Sequence, residues 1–183
     1  MVFSRLFRRD AAKDTAQLLY VGLVAQARHP DLYAQLEVPD SLDGRFDAVA
    51  LHVFLVLNRL KREDGAAAAA LAQNIVDAFV DDMDRSVREL GVGDLGVSRR
   101  VKLMAQSLYG RAAVYEEAVA LPDDERLTTA LARNLYGTKE ATAPAILSAT
   151  ARYVRAAIAA LASQDIAALA EGRVAFPEPM VPA

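Results

Sequence analysis

The chain has 183 residues, 54% of them hydrophobic and 25% charged, with a net charge of -3. That describes one globular domain of ordinary size with enough apolar material for a core, and its slight acidity argues against non-specific nucleic-acid binding. With no Cys and only two His, disulfides, thiolate catalysis, Cys-ligated metals and a three-His zinc site are excluded.

In chain order, Met1 to Arg9 is both basic and apolar. On a helix Phe3, Leu6 and Phe7 share a face and Arg5, Arg8 and Arg9 fall elsewhere. That pattern suits contact with an anionic membrane surface or with ribosomal RNA, and equally a frayed terminus docked on the core. The segment lacks the long apolar stretch of a secretory signal. The longest apolar run, Ala48 to Leu57, is about half the roughly 20 residues needed to span a bilayer. No exported or integral-membrane form is implied.

Residues 11–28 repeat apolar groups at a helical period, and His29-Pro30 stops them because proline disfavours helix at the preceding residue. Pro30 opens a short helix over 31–36, and Val38 to Ser41 is a turn. The helix expected over 45–61, after Asp43-Gly44, is apolar nearly all round, which places it at the centre of a bundle. His52 within it reads as a hydrogen-bonded core residue rather than a ligand.

Asp64 is the expected N-cap of the next helix, which runs to Leu90 with a seam of Leu71, Ile75, Phe79, Met83, Val87 and Leu90. Asp81–Arg85 and Asp84–Arg88 are its expected i,i+4 ion pairs, and Gly91 ends it as a left-handed cap. Ser98 is expected to cap a helix to Ala120, with Val97, Val101, Met104, Leu108, Ala112, Tyr115 and Val119 as the seam. Arg99, Arg100 and Lys102 then fall in its first turn, where the macrodipole disfavours cations. Either they pair with Asp94 or with the 81–89 segment, or they offer a basic edge to a partner. A shorter helix covers 124–135, and Thr142 and Pro144 open a last long helix running through Leu169. The proline-rich tail is extended or loose. The class is all-α: a single-domain bundle of about six to seven helices over 11–172, a basic amphipathic segment at 1–10 and an extended tail at 173–183.

Gly91-Val92-Gly93-Asp94-Leu95-Gly96 matches G-x-G-x-x-G literally, but a helix precedes it and no βαβ unit exists, so the glycines read as an interhelical corner rather than a dinucleotide site. Asp77-x-x-x-Asp81 resembles one aspartate-rich helix of the all-α prenyl synthases, but the facing acidic helix that Mg²⁺-diphosphate binding needs is missing. Tyr109-Gly110-Arg111 puts a glycine in mid-helix, at a cost of about 1 kcal/mol against alanine, beside two residue types that dominate binding hot spots. It suits close approach by another helix, from within the chain or from a partner. No metalloprotease, P-loop or serine-hydrolase pattern occurs.

Taken together, Gln26-Ala27-Arg28, Val38-Pro39-Asp40, Gly44-Arg45-Phe46, the Asp84-Arg85-Ser86 to Gly91-Val92-Gly93-Asp94 block, Lys102 and Tyr109-Gly110-Arg111 resemble the ubiquinol–cytochrome c chaperone family. The resemblance implies a helical, non-enzymatic assembly chaperone for respiratory complex III that binds newly made cytochrome b or another membrane subunit. Such a protein works at a membrane face and near ribosomes, with a small partner protein and without DNA. Lacking a long targeting extension, the chain resembles a compact bacterial member, peripheral at the inner face of the cell membrane and cytoplasmic. Expected partner or client contacts are Asp81, Asp84, Arg85, Arg88, Asp94, Arg99, Arg100, Lys102, Tyr109, Arg111 and Tyr115. Membrane or RNA contacts are Phe3, Arg5, Leu6, Phe7, Arg8 and Arg9. No catalytic residue, metal or cofactor is expected. The alternatives are an isoprenoid- or lipid-handling helical protein, with Asp77, Asp81 or Arg88 at the mouth of an apolar cavity, and a generic scaffold that oligomerises through the Tyr109–Tyr115 face.

Overall fold

A computed structural model describes residues 2–139 and 141–179, the first ten of these by their backbone alone. The side chains of Phe3, Arg5, Leu6, Phe7, Arg8 and Arg9, expected to touch membrane or RNA, therefore lie outside the described residues. Eight helices follow in order: α1 (Val2–Ala27), α2 (Pro30–Ala34), α3 (Leu42–Leu60), α4 (Ala66–Glu89), α5 (Asp94–Val119), α6 (Glu125–Asn134), α7 (Pro144–Ser163) and α8 (Ile166–Ala170). Six have ten residues or more, and no strand occurs among the described residues. The protein is an all-α single domain.

The axis of the bundle is α3. It packs against α1, α4, α5 and α7, and Val49, Leu51, Val53, Phe54, Leu55 and Val56 are all buried. A helix apolar all round finds neighbours all round. It begins before the expected Arg45, because the Ser41 hydroxyl accepts a hydrogen bond from Gly44 N (3.1 Å) and caps the end. Gly44 is in the first turn rather than in a loop. A Cβ there would stand 2.0 Å from the Pro39 carbonyl oxygen, so the chain needs glycine to bring α3 against the turn before it.

Two buried or half-buried arginines hold helix ends. Arg59 donates to Leu161 O (2.9 Å) at the end of α7. Arg155 donates to Val119 O (2.7 Å) and Leu121 O (2.8 Å) at the end of α5, and its Nε lies 3.0 Å from Asp124. In each case a cation meets carbonyls at a helix C-terminus, where the macrodipole favours positive charge. α7 is long and apolar enough to cross a membrane, with a mean hydropathy of 1.3. Its apolar groups instead fill the core beside α3 and α6.

Three further boundaries differ from the sequence reading, each for a local reason. Asp64 does not cap α4; Gly65, at φ +113, occupies the cap position without a side-chain bond. The final helix breaks at Gln164, because Asp165 accepts from Ala167 N (2.9 Å) and starts α8 afresh. Gly91, at φ +75, ends α4 as expected, but α5 starts at Asp94, with Gly93 as its cap residue. Gly96 and Ser98 are thus helical, and the corner shrinks to residues 90–93.

The tail is extended over 173–179 but not loose. Gln164 holds Ala175 at both ends of its peptide, accepting from its N–H (2.9 Å) and donating to its carbonyl (2.7 Å). Gln26 donates to Pro177 O (3.0 Å), and Phe176 packs edge-on to His52 with ring centroids 5.4 Å apart.

Candidate functional site

Two polar clusters flank α3, one on each side. Toward α7, His52 is fully buried. Its Nδ1 lies 2.8 Å from Ala48 O and its Nε2 2.7 Å from the Tyr153 hydroxyl, which also accepts from Gln26 Nε2 (3.0 Å). Burial pushes the imidazole down to about 4, so it is neutral at physiological pH. The Nδ1–H donates to Ala48 O, leaving Nε2 to accept from Tyr153. Every polar atom in this chain of bonds has a partner, and the expected role of His52 as a core histidine holds.

Toward α5, Asp47 is buried and Arg111 reaches it, with Nη2 2.7 Å from Oδ1. The contact is an ion pair without a well-aligned hydrogen bond, and Oδ1 has no other partner among the described residues. The guanidinium lies 5.5 Å from the centroid of the Phe46 ring and donates from Nε toward Asn134 O at 3.4 Å. Burial raises the Asp47 carboxyl to about 6, against the lowering pull of Arg111. Nearby, the Tyr115 hydroxyl and Asn134 Nδ2 are buried with no hydrogen-bond partner among the described residues. This cluster is under-satisfied where the His52 cluster is complete.

Over the Asp47 side the surface opens into grooves. One, of about 190 Å³, lies where the start of α3 meets the end of α4; Leu42, Phe46, Val49, Met83, Leu90 and Met104 line it, with Arg28, Arg45 and Asp82 among its polar members. A second, of about 450 Å³, shares Asp43, Phe46 and Met104 with the first and adds Leu103, Ser107, Arg111 and Arg133. Phe46 and Met104 line both, so the two grooves adjoin as one trough whose first stretch is mainly apolar and whose second, with Asp43, Asp47, Arg111 and Arg133, is mixed. Leu42, Leu90 and Leu103 are each more than half exposed along it.

The sequence-predicted contact residues do not gather in one patch. Asp84, Arg88 and Asp94 form a network across the corner: Arg88 Nε is 2.6 Å from Asp84 and its Nη1 2.6 Å from Asp94. Those bonds raise the Arg88 pKa still further. The Asp84–Arg88 pair is as expected. Arg85 instead approaches Asp82 (4.0 Å) and not Asp81. Asp81 faces a separate polar hollow with Lys13, Asp14 and Asp77. Arg99, Arg100 and Lys102 are exposed and make no ion pair among the described residues. With α5 beginning at Asp94 they sit in its second and third turns, beyond the reach of the macrodipole, and an acidic Asp94 occupies the first turn as the dipole favours. Tyr109 is 54% exposed and borders a hollow walled by Ala68, Ala69 and Ala72.

Tyr115 is a correction. It is fully buried and packs on Phe54 at 5.4 Å, so it belongs to the helical seam that the sequence also predicts, and no surface remains for a partner to touch. Leu90 errs the other way: counted in the seam of α4, it is 55% exposed because the corner turns it outward. Groove-lining residues that sequence reasoning missed are Leu42, Asp47, Met83 and Met104; Leu42 is exposed, Met104 partly so, and Asp47 and Met83 are buried beneath the surface. Periodicity marks Met83 and Met104 only as core, and which of them reach a groove depends on where helices diverge.

For the isoprenoid reading, the requirement is carboxylates at the mouth of a deep apolar cavity. Asp77 and Asp81 face the polar hollow, Arg88 is absent from the lining of either groove, and the apolar groove is well below the usual ligand-site range of roughly 300–1,000 Å³.

The fold and surface define a class: a single all-α domain whose concave features, among the described residues, are surface grooves, one of them mainly apolar. Residues 34–176 match the model of the ubiquinol-cytochrome C chaperone family, and the chain belongs to that family. Among curated proteins it is 27% identical over 153 residues to ubiquinol-cytochrome-c reductase complex assembly factor 1 of Xenopus laevis, covering 84% of this chain and 75% of that protein. It is 28% identical to the Homo sapiens factor of the same name, covering 84% of this chain but 50% of the human one. Among solved structures it resembles the Cbp3 homolog from Brucella abortus, with a TM-score of 0.82, 37% identity and 97% coverage of both chains.

Proposed function

We propose that this protein is a non-enzymatic chaperone of complex III assembly that holds an apolar segment of newly made cytochrome b in the trough between α3, α4 and α5. The observation that carries this reading is the trough itself: an apolar groove that adjoins a mixed one at Phe46 and Met104, exposed leucines along both, and charged side chains around them. A hydrophobic groove of this kind accepts an amphipathic or apolar helix through anchors spaced at one helical turn. Family membership supports the assembly role. Arg111, paired with Asp47 at the floor, is the predicted contact residue best placed to meet a client. Asp84, Arg88 and Asp94 brace the corner beside it. The protein acts at the cytoplasmic face of a membrane that carries complex III.

Site-specific photocrosslinkers at Leu42 and Leu103, with Asp81 as the control position, test the reading in cells. The expected result is cross-linking to cytochrome b from the first two positions only, together with reduced assembled complex III when the gene is deleted. Normal complex III in the deletion strain overturns the reading, as does cross-linking to no membrane subunit.

A further inference from the structure

Along α5, residues 95–115 contain four cations, Arg99, Arg100, Lys102 and Arg111, and no carboxylate, in a chain of net charge -3. Arg111 is consumed by Asp47. The other three are exposed and have no ion-pair partner among the described residues, so they form a local positive field that no ion pair among those residues neutralises.

Apolar side chains stand among them. Leu95 is 92% exposed, Leu103 55% and Val114 43%. At about 100° per residue, Leu95, Leu103, Gly110 and Val114 fall within one outward stripe, roughly 100° wide. Arg99 lies in the middle of that stripe, and Lys102 and Arg100 flank it on opposite sides, each about 80° from its centre. A Cβ on Gly110 would meet nothing within 4 Å, so no helix of this chain uses the close approach that a mid-helix glycine permits, and the stripe stays low and open there. Carboxylates resume only at Glu116 and Glu117.

An exposed leucine stripe flanked by unpaired cations is the arrangement of a helix lying in a membrane interface. The apolar groups sink to the acyl boundary while the long basic stems reach back to the headgroups. Leu95 and the three unpaired cations lie outside the concave grooves and the hollows described above, so a soft, anionic, deformable surface fits this face better than a pocketed protein. RNA would be met by several stacking aromatics, and this face has only Tyr109 at its edge, beside the hollow walled by Ala68 and Ala72.

We propose that the outward face of α5, from Leu95 to Val114, is a docking surface for an anionic phospholipid bilayer that adjoins the trough only at Leu103 and acts independently of any client. Each basic residue near an anionic surface is worth about fivefold in partitioning, so the three unpaired cations together account for roughly a hundredfold.

The test is co-sedimentation of the purified full chain with vesicles of phosphatidylcholine alone and of phosphatidylcholine containing about one third phosphatidylglycerol. The expected result is binding to the anionic vesicles only, reduced at least tenfold in the triple variant Arg99→Glu, Arg100→Glu, Lys102→Glu and severalfold in Leu95→Ser, Val114→Ser. All five side chains are exposed, so circular dichroism and thermal melts stay unchanged in both variants. No binding of the wild type to either vesicle overturns the proposal. Undiminished binding of both variants also overturns it, and assigns lipid contact elsewhere in the chain, as does a triple variant that binds vesicles normally but loses cross-linking to a soluble acidic protein. Because no client is present, failure here leaves the trough reading to its own experiment.

Discussion

The two polar clusters beside α3 make opposite use of buried charge and hydrogen bonding. On the α7 side, His52, Tyr153 and Gln26 form a closed chain that ends on the tail at Pro177, with every group partnered. On the α5 side, Asp47, Arg111, Tyr115 and Asn134 leave buried polar atoms without a hydrogen bond. Fully satisfied buried networks rigidify a fold, and incomplete ones are costly. The complete network fixes the tail and the α3–α7 contact. The incomplete one lies under the trough, where local consistency is weakest and where function is expected to reside.

The largest way to break this comparison is Arg111→Ala. It strands a buried carboxylate and is expected to cost about 3 kcal/mol in urea unfolding at pH 7. If the stability is unchanged, the pair is not holding the α3–α5 contact and the contrast collapses.

The hydroxyls sharpen it next. Tyr153→Phe removes the group that joins His52 to Gln26 and should cost about 2 kcal/mol by the same measurement. Tyr115→Phe removes a buried hydroxyl without a partner, and should be neutral or stabilising by up to about 1 kcal/mol. Equal losses in the two variants would mean that the two sides are satisfied alike.

The smallest effect is in pH. His52 is held neutral in the fold, down to about 4 from 6.5, so the unfolded chain binds the extra proton and stability is lost as pH falls through that window. Asp47 is raised from 3.8 to about 6, so the fold binds the extra proton and this contribution is lost as pH rises through its window. The two slopes oppose each other between about pH 4 and 6. Asp47→Asn removes one of them, and its unfolding midpoint should fall more steeply than the wild type's on going from pH 6 to 4.5, by about 1 kcal/mol more. Parallel curves would show that Asp47 titrates normally.

Much of this was legible in the residues. The all-round apolarity of α3 announces a central helix, Pro30 and Gly91 mark ends whose φ requirements are local, and the four-residue steps of Leu71, Ile75, Phe79 and Met83 give the buried seam of α4. Asp84 and Arg88 are one turn apart, so their pairing needs only the helix. The blocks quoted from Gly44-Arg45-Phe46 to Tyr109-Gly110-Arg111 carried the family. These features depend on neighbours within a turn or two, where sequence spacing is spatial distance.

What required the tertiary structure is whatever joins distant residues. Tyr115 belongs to the seam and to a hot-spot-like motif at once, and only the approach of Phe54 from α3 settles it as core. Asp47 and Arg111 are 64 positions apart, and His52 and Tyr153 are 101. The proline-rich tail reads as free in sequence because its anchors, Gln26 and Gln164, lie on α1 and at the end of α7. The start of α5 at Asp94 rather than Ser98 moved three cations out of the first turn and left them unpaired on an open face. Periodicity tells which side of a helix is apolar. It does not tell where two helices part, and in this protein that divergence makes the trough.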